Sequence, residues 1–560
     1  MYLRTIQRRN KDGSVVRYVQ LAHNVRPTGS KNPVAEVVHS FGREDALDRD
    51  ALARLVRSIN RYLGPEQELA SKAAAGEAAP LAFVSSRRLG GAWALDGLWR
   101  RLGIDAVLLG LLGKRDPLVE RVVFALVANR ALEPSSKLAA TRWVGERAWA
   151  PGLPEVSDDA CYRAMDWLVG VSDELAQAVY WATADLLNLE VDLLFFDTTS
   201  TYFEIEGPDA PGEGETVGFR SFGHSKDHRP DLPQVVVGMA VTREGIPIRV
   251  WCWAGNTSDQ ALIRQVKDDL RAWRLARVVW VADRGFSSAE NRRYLQRAGG
   301  HYIVGEKLRG ESKEAAAALG RAGRYRTVAA NLRVKEVVID DATMRDRFVI
   351  CHNPDQAARD KAVRDQLVAQ LRSAIEGSDR LGADERAALG GRLRSQRGYA
   401  RFLRSTPAGR LRIDLAAVRA EERLDGKFLL RTSDPTLSAE DVALGYKQLL
   451  EVERGWRDMK STLELRPVYH RLEDRIRAHV LLCWLALLLI RLAENATKDT
   501  WRNLRHELDR MHVGEFAGPT GRVLQRTETT PRQAQILKAL GVAEPKRFLE
   551  IAPARAAASA

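Results

Sequence analysis

Cysteine is scarce in this chain. Four occur in 560 residues, Cys161, Cys252, Cys351 and Cys483, and they stand far apart. No pair has zinc-ligand or redox spacing, so the sequence points to a reducing compartment. Long apolar runs are missing too. The most apolar stretch is VLLCWLALLLI, Val480 to Ile490, eleven residues between Arg477 and Arg491. That is too short to span a bilayer, and a buried core helix is expected there. The opening MYLRTIQRRN is charged, so no signal peptide is expected and no membrane partner. There is no internal repeat. No G-x-S-x-G elbow appears, which argues against a serine hydrolase.

What is present is length and positive charge. A chain of 560 residues, 45% apolar, can bury several cores, so two to four domains are expected. Lys plus Arg number 86 against 73 Asp plus Glu, a formal charge of +13. That balance fits a polyanionic partner, and it equally fits a basic enzyme.

The text changes character along the chain. Residues 1–75 read as a small N-terminal module: SVVRYVQLAHNVR is strand-like, GSKNP is a turn, and ALDRDALARLVRSINRYL has helical spacing. KAAAGEAAP, residues 72–80, reads as a linker. Residues 85–188 are helical, either a DNA-binding domain or a packing module, with a serine cap at SSKLAATRW. From 189 strands appear. VDLLFFD is apolar on both faces, PQVVVGMAV and IPIRVWCWAG follow with REG as a turn, and ARVVWVADRGF and HYIVGEKL are further strands among helices. This predicts a mixed α/β sheet over 189–308, resumed at 441–505. Residues 309–440 interrupt it with YRTV, VKEVVI, DRFVICHN, LRIDLAAVRA and GKFLLRTSD as strand-like text around a charged helix, QAARDKAVRDQLVAQLRSAIEG. An insertion of that length predicts a separate α+β subdomain. Residues 506–560 hold one more helix, QAQILKALG, and a flexible Ala/Pro-rich tail.

Two acids share one local grammar. In LLFFDTTSTYFE an apolar strand runs into Asp197, and in VVWVADRGF another runs into Asp283, with Gly285 for a sharp exit. Adjacent strands would bring the carboxylates together. Such a pair repels unless it holds a cation or shares a proton. Mg²⁺ suits an oxygen-rich site, and two ions about 4 Å apart can activate a nucleophile and stabilise the leaving oxygen of a phosphodiester. A turn or cap role for each Asp is the plain alternative. A third acid comes from YKQLLEVERGWRDMKSTLELRPVYH, residues 446–470, read as a helix. Leu449, Val452, Trp456, Met459 and Leu463 form its apolar stripe. Tyr446, Glu453 and Lys460 recur every seven residues along one edge of that stripe, with Arg457 one turn beyond Glu453.

With those residues in place the chain resembles a DDE transposase of the IS4 superfamily, particularly the IS1634 group. Two strand-end aspartates and a helical glutamate on an RNase H-like fold match Asp197, Asp283 and Glu453. The helix signature of such proteins, Y, two residues, R, three residues, E, six residues, K, is met by Tyr446, Glu453 and Lys460. It fails at Leu449, where the arginine would stand; Arg454 and Arg457 are the nearby substitutes. GHSKDHRPDLPQVVVGMAV, GNTSD and RPVYHRLEDRIRAHVLLCWLALLL also resemble this family.

The resemblance implies an RNase H-like catalytic core with an insertion domain and a mainly helical N-terminal region. It implies a metal-dependent DNA transposase that cuts element ends and joins them to target DNA. Asp197, Asp283 and Glu453 would be both the catalytic and the metal-binding set, holding two Mg²⁺ ions, with Mn²⁺ as the alternative. The partners would be terminal inverted repeats and target DNA, bound by a dimer. The place would be the bacterial cytoplasm, on the nucleoid when DNA-bound. Related proteins pass through a hairpin on the excised end, for which Trp251, Trp253 and Trp280 are aromatic candidates, though core packing is the plainer reading. Tyr446 and Lys460 would touch terminal phosphates. Arg457, Arg284 and Lys226 are further DNA-contact candidates, Lys226 in a polar cluster with Asp227, His228, Arg229 and Asp231. Thr199 and Ser200 are assigned to the backbone after the strand, and His470 and His479 are given no metal role. A metal-dependent nuclease and an inactive transposase-derived DNA-binding protein are the alternatives.

Overall fold

The computed structural model describes residues 1–26, 34–63, 81–153, 155–187, 193–212, 217–271, 273, 278–309, 312–341, 344–518 and 521–553. The expected GSKNP turn, the 72–80 linker and most of the C-terminal tail lie outside them. Two compact units emerge. The larger comprises Arg87–Met511 with Thr529–Glu544, and the smaller comprises Met1–Ser86, His512–Glu528 and Pro545–Ala560.

The larger unit is built on a nine-stranded sheet. Its strands are β1 (Leu193–Tyr202), β2 (Gln234–Val241), β3 (Pro247–Ala254), β4 (Val279–Ala282), β5 (His301–Glu306), β6 (Arg326–Ala329), β7 (Leu332–Asp341), β8 (Met344–His352) and β9 (Lys427–Thr432). The spatial order is β6-β7-β8-β9-β5-β4-β1-β2-β3. An antiparallel meander β1-β2-β3 is followed by β4 and β5, each parallel to its neighbour on the β1 side. Parallel neighbours need a crossover, and helices supply it: α1 (Asp259–Arg271) before β4 and Ala289–Gln296 before β5. β2 is buried along its whole length and β1 nearly so, as the two-sided apolar text predicts. Phe195 and Phe196 are fully buried, each contributing about 2–3 kcal/mol of apolar burial.

β1 runs on past its first acid. The apolar run suggested a strand ending at Asp197, yet pairing with β2 continues from Phe195 to Tyr202. Thr198, Thr199, Ser200 and Thr201 are buried strand residues. β-Branched threonines suit a pleated strand, so polarity did not stop it. Thr199 and Ser200 are therefore not in a turn, and the Ser200 hydroxyl accepts from the Lys226 amide at 2.9 Å.

The long interruption joins the same sheet. β9 pairs antiparallel with β5, and β8, β7 and β6 follow outward. The segment between β8 and β9 leaves it. There, helix Pro354–Ile375 is capped by Asn353, and Leu371, Leu393, Phe402, Leu403 and Leu411 form a small core of their own. LRIDLAAVRA is not one strand. Leu411–Ile413 pairs with Leu403–Ser405, then Asp414 caps helix Leu415–Glu422 by accepting from the Ala416 and Ala417 amides.

After β9 come α2 (Ala439–Lys447), α3 (Leu450–Ser461) and α4 (Glu473–Thr497). The sequence suggested one helix over 446–470. Instead it breaks at Gln448 and Leu449, where bonds shorten to Gln448 N–H on Gly445 and Leu449 N–H on Tyr446. α3 then stops at Ser461, and a loop with a cis Arg466–Pro467 bond leads to α4. The predicted apolar stripe Leu449, Val452, Trp456, Met459 and Leu463 is buried. α4 is long and apolar enough to cross a membrane by composition, but 94% of its apolar window is buried within the fold. It packs on helices Leu118–Leu132 and Asp158–Gly170 of the preceding helical region.

In the smaller unit, Tyr2–Arg9, Val15–Val25 and Val34–Arg43 form an antiparallel meander, with helix Arg49–Leu63 after it. A four-stranded sheet has the order Phe548–Pro553, Gly521–Arg526, His512–Gly518, Ala82–Arg88. The sequence suggested a single helix in 506–560; that helix forms as Pro531–Ala539, and these strands accompany it.

Candidate active site

Sheet register places the two aspartates. The parallel pairing of β1 with β4 ends at Phe196 opposite Ala282. Asp197 and Asp283 are the residues that follow, Asp197 still within β1 and Asp283 the first past β4. Neighbouring strands lie about 4.8 Å apart, so the carboxylates leave adjacent backbone positions at the point where the parallel ladder ends. Two bare charges at about 5 Å repel by roughly 3 kcal/mol in a partly screened site.

The Asp197 side chain is 22% exposed. Burial pushes its carboxyl up to about 6; Lys226 and the Thr198 amide pull the other way, and Asp259 and Asp283 add to the rise. Lys226 is the cation of the cluster. Its Nζ lies 3.0 Å from Asp259 Oδ2 and 3.9 Å from Asp197 Oδ1. It donates to the Thr198 carbonyl at 2.8 Å and to the Thr198 hydroxyl. That hydroxyl in turn donates to Asp259 Oδ1 at 2.6 Å.

Asp259 is the member that sequence reasoning missed. It opens α1, directly after the GNTS turn, and reads as a helix-start acid. The signal available was GNTSD itself, one of the family-like stretches.

Tyr446 closes the other side. Its hydroxyl donates to Asp283 Oδ1 at 3.1 Å. Burial, then the Asp283 charge and hydrogen bond, push the phenol up from its ordinary value. The approach depends on Gly305 of β5. A Cβ there would lie 2.5 Å from the Tyr446 hydroxyl, so only glycine lets the ring through. A cavity of about 310 Å³ opens beside this pair, lined by Arg284, Arg309 and Lys427 among others.

Glu453 stands apart from this cluster. It is exposed on α3. Among the described residues, no hydrogen bond or ion pair joins it to either aspartate. Its helix nonetheless lies over the right part of the sheet. Asp197 and Met239 are register partners, so their side chains leave the same face. Gly455, within one turn of Glu453, packs against Met239, where a Cβ would come to 2.6 Å of its methyl.

The remaining candidates divide. Lys460 is committed to Asp227, with Nζ 2.8 Å from Oδ1, and Arg466 holds the other oxygen at 2.9 Å. Arg284 and Arg457 are exposed. Leu449 is buried, at 8% exposure, so this position faces the core. Arg454 is engaged by Glu494 at 3.0 Å, which leaves Arg457 as the exposed guanidinium of α3. Trp251 and Trp280 are buried; Trp253 stacks on Trp251 with centroids 6.2 Å apart. His479 is buried in the interior, and His470 lies 5.7 Å from it, ring to ring.

The donor set suits a hard cation. Asp197 and Asp283 offer only oxygen, and a cation between them would offset the burial that raises Asp197 and the carboxylate repulsion that adds to it. Among the described residues, no group of three or more His, Cys, Asp or Glu is gathered to hold a metal. Magnesium commonly takes one or two carboxylates plus water and substrate phosphate oxygens, and two carboxylates are what this arrangement presents.

Comparison with known proteins places the chain. Residues 204–489 match the family model described as the transposase DDE domain, a span that takes in Asp283 and Glu453 and begins just after Asp197. Residues 3–70 match the IS1634 family transposase N-terminal domain. No curated protein matches. Among solved structures, a cryo-EM structure of the piggyBac transposase synaptic complex with hairpin DNA is similar at 10% identity, covering 75% of this chain and 79% of that one with a TM-score of 0.35. The two family matches, over the acid-bearing sheet and over the N-terminal module, establish that the chain belongs to the DDE transposases, in the IS1634 family.

Proposed function

We propose that the protein is a metal-dependent, cut-and-paste DNA transposase that cleaves insertion-element ends and joins them to target DNA. One observation carries this reading: Asp197 and Asp283 stand side by side where the β1–β4 ladder ends, with the Asp197 carboxyl raised to about 6. Two Mg²⁺ ions, or Mn²⁺, held by Asp197 and Asp283 with Glu453 completing the set, would supply Lewis acidity at the scissile phosphate. The chain's own residues prepare that seat. Tyr446 fixes the Asp283 carboxylate, and Lys226 balances Asp197 and Asp259. Exposed Arg284 and Arg457 are assigned to DNA phosphates, with Lys460 joining them if it leaves Asp227. The partners are terminal inverted repeats and target DNA, held by a dimer in the bacterial cytoplasm.

The test uses purified protein and its candidate element ends in Mg²⁺. Labelled DNA is followed for nicks, hairpins and joined products, beside Asp197→Ala and Glu453→Ala. Metal-dependent joining by the wild type alone is the expected result. Cleavage without joining would make the protein a nuclease, and end binding without cleavage a DNA-binding remnant.

A further inference from the structure

A second cavity, of about 470 Å³, lies among helix Leu118–Leu132, the Ser135–Lys137 segment, helix Asp158–Gly170, the loop after α3 and α4. Its walls carry two buried cations and one carboxylate, Glu464, whose charge acts on Arg130. Lys137 is 4% exposed, and among the described residues its ammonium has no hydrogen-bond or ion-pair partner. Burial and the nearby Arg130 pull it down to about 7, and the other groups acting on it are two buried thiols, Cys483 and Cys161. Among the described residues, Arg130, also 4% exposed, hydrogen-bonds only to the Leu463 and Glu464 carbonyls, at 3.4 and 3.3 Å, and its Nε has no hydrogen-bond partner. A buried cation without an anion is costly. With Glu464 as the carboxylate in the lining, Arg130 and Lys137 still leave an excess of positive charge that an anion entering the cavity would balance. Ser136 and Tyr162 add hydroxyls to the same wall, beside Ser135, whose own hydroxyl donates to Asn129 Oδ1 at 3.1 Å; with the two cations they make a donor set suited to a tetrahedral oxyanion.

We propose that this cavity binds a phosphate group through Lys137 and Arg130, and that the phosphate belongs to a DNA strand leading toward the aspartates. The second half rests on the transposase reading. The path is set by the loop after α3. Glu464, Pro467 and His470 line the cavity, while Arg466 of the same loop turns to Asp227, beside Lys226. A strand with one phosphate at Lys137 would follow that loop to the acids.

The test uses the full chain as wild type, Lys137→Met and Lys137→Arg. Thermal unfolding is followed with inorganic phosphate, and anisotropy with a labelled duplex of arbitrary sequence over about 50 to 200 mM salt. Phosphate should raise the midpoint of wild type and Lys137→Arg but not of Lys137→Met. Lys137→Met should weaken duplex binding about tenfold and lower the salt slope by about one, with the arginine variant restoring both. Its own midpoint should not fall, because an unpaired buried charge has been removed, so lost binding is not lost folding. Unchanged phosphate response and duplex affinity in Lys137→Met would overturn the site. Loss of the phosphate response with duplex affinity intact would overturn the DNA assignment and leave a free phosphate compound as ligand. If the wild type binds no duplex, the transposase reading and the DNA half fail together, and the phosphate arm alone decides the site.

Discussion

Asp197→Asn should stabilise the protein at neutral pH while abolishing its chemistry. The carboxyl rises from 3.8 to about 6 in the folded state. A shift of about two units corresponds to roughly 3 kcal/mol. With the side chain 22% exposed and Lys226 losing one neighbour, about 1–2 kcal/mol should remain. The folded-state value lies above the unfolded one, so the native protein binds this proton more tightly. The stability contributed is complete below about pH 4 and lost as pH rises through about 6. Asparagine removes that loss. Urea unfolding followed by tryptophan fluorescence should therefore show Asp197→Asn more stable than wild type at about pH 8 and equal to it near pH 4. Added Mg²⁺ should stabilise the wild type more than the variant. Equal stability at pH 8, or a gain that persists at pH 4, would refute the claim that Asp197 is a strained, desolvated acid.

Gly305→Ala puts a methyl 2.5 Å from the Tyr446 hydroxyl; it should cost about 1–3 kcal/mol in urea unfolding and lower DNA cleavage together with Tyr446→Phe. Tyr446→Phe itself should lose about 1 kcal/mol of stability and slow cleavage with duplex affinity unchanged; an equal loss of affinity would instead make Tyr446 a DNA contact. Lys226→Met removes the chief ionic pull that lowers Asp197, so the acid limb of cleavage, measured from about pH 5 to 8, should move to higher pH. Leu449→Arg, which restores the family arginine at a position 8% exposed, should destabilise by about 2 kcal/mol or more in urea and leave cleavage no faster.

The sequence made the acids visible because each ends a run of buried aliphatic text, and the register then put them side by side. Other features were hidden by pairing at a distance. Thr199 and Ser200 read as following the strand because they are polar, whereas pairing with β2 continues through them and Thr198 to Thr201 are buried. Tyr446, Glu453 and Lys460 share a heptad spacing, but the helix they were read on breaks at Gln448–Leu449, so Tyr446 turns in to Asp283 while Glu453 faces solvent. Asp259 comes from a helix start distant in sequence from Asp197, and only folding brings it to Thr198 and Lys226. The His512–Gly518 strand pairs with Ala82–Arg88, a contact across more than four hundred residues that no local period encodes.

The way the insertion leaves the sheet has a consequence for how this molecule can be altered. β9 covers the backbone groups of β5 that would otherwise form an open edge, and open edges invite intermolecular pairing and aggregation. Deleting all of 309–440 would uncover them. The excursion from β8 to β9, by contrast, begins and ends at neighbours, since His352 and Lys427 are register partners. A tight reverse turn can bridge such a gap. The segment between them is thus a removable cassette on a permanent selvage, and shortening it should leave both the border of the sheet and the spacing of its acids intact.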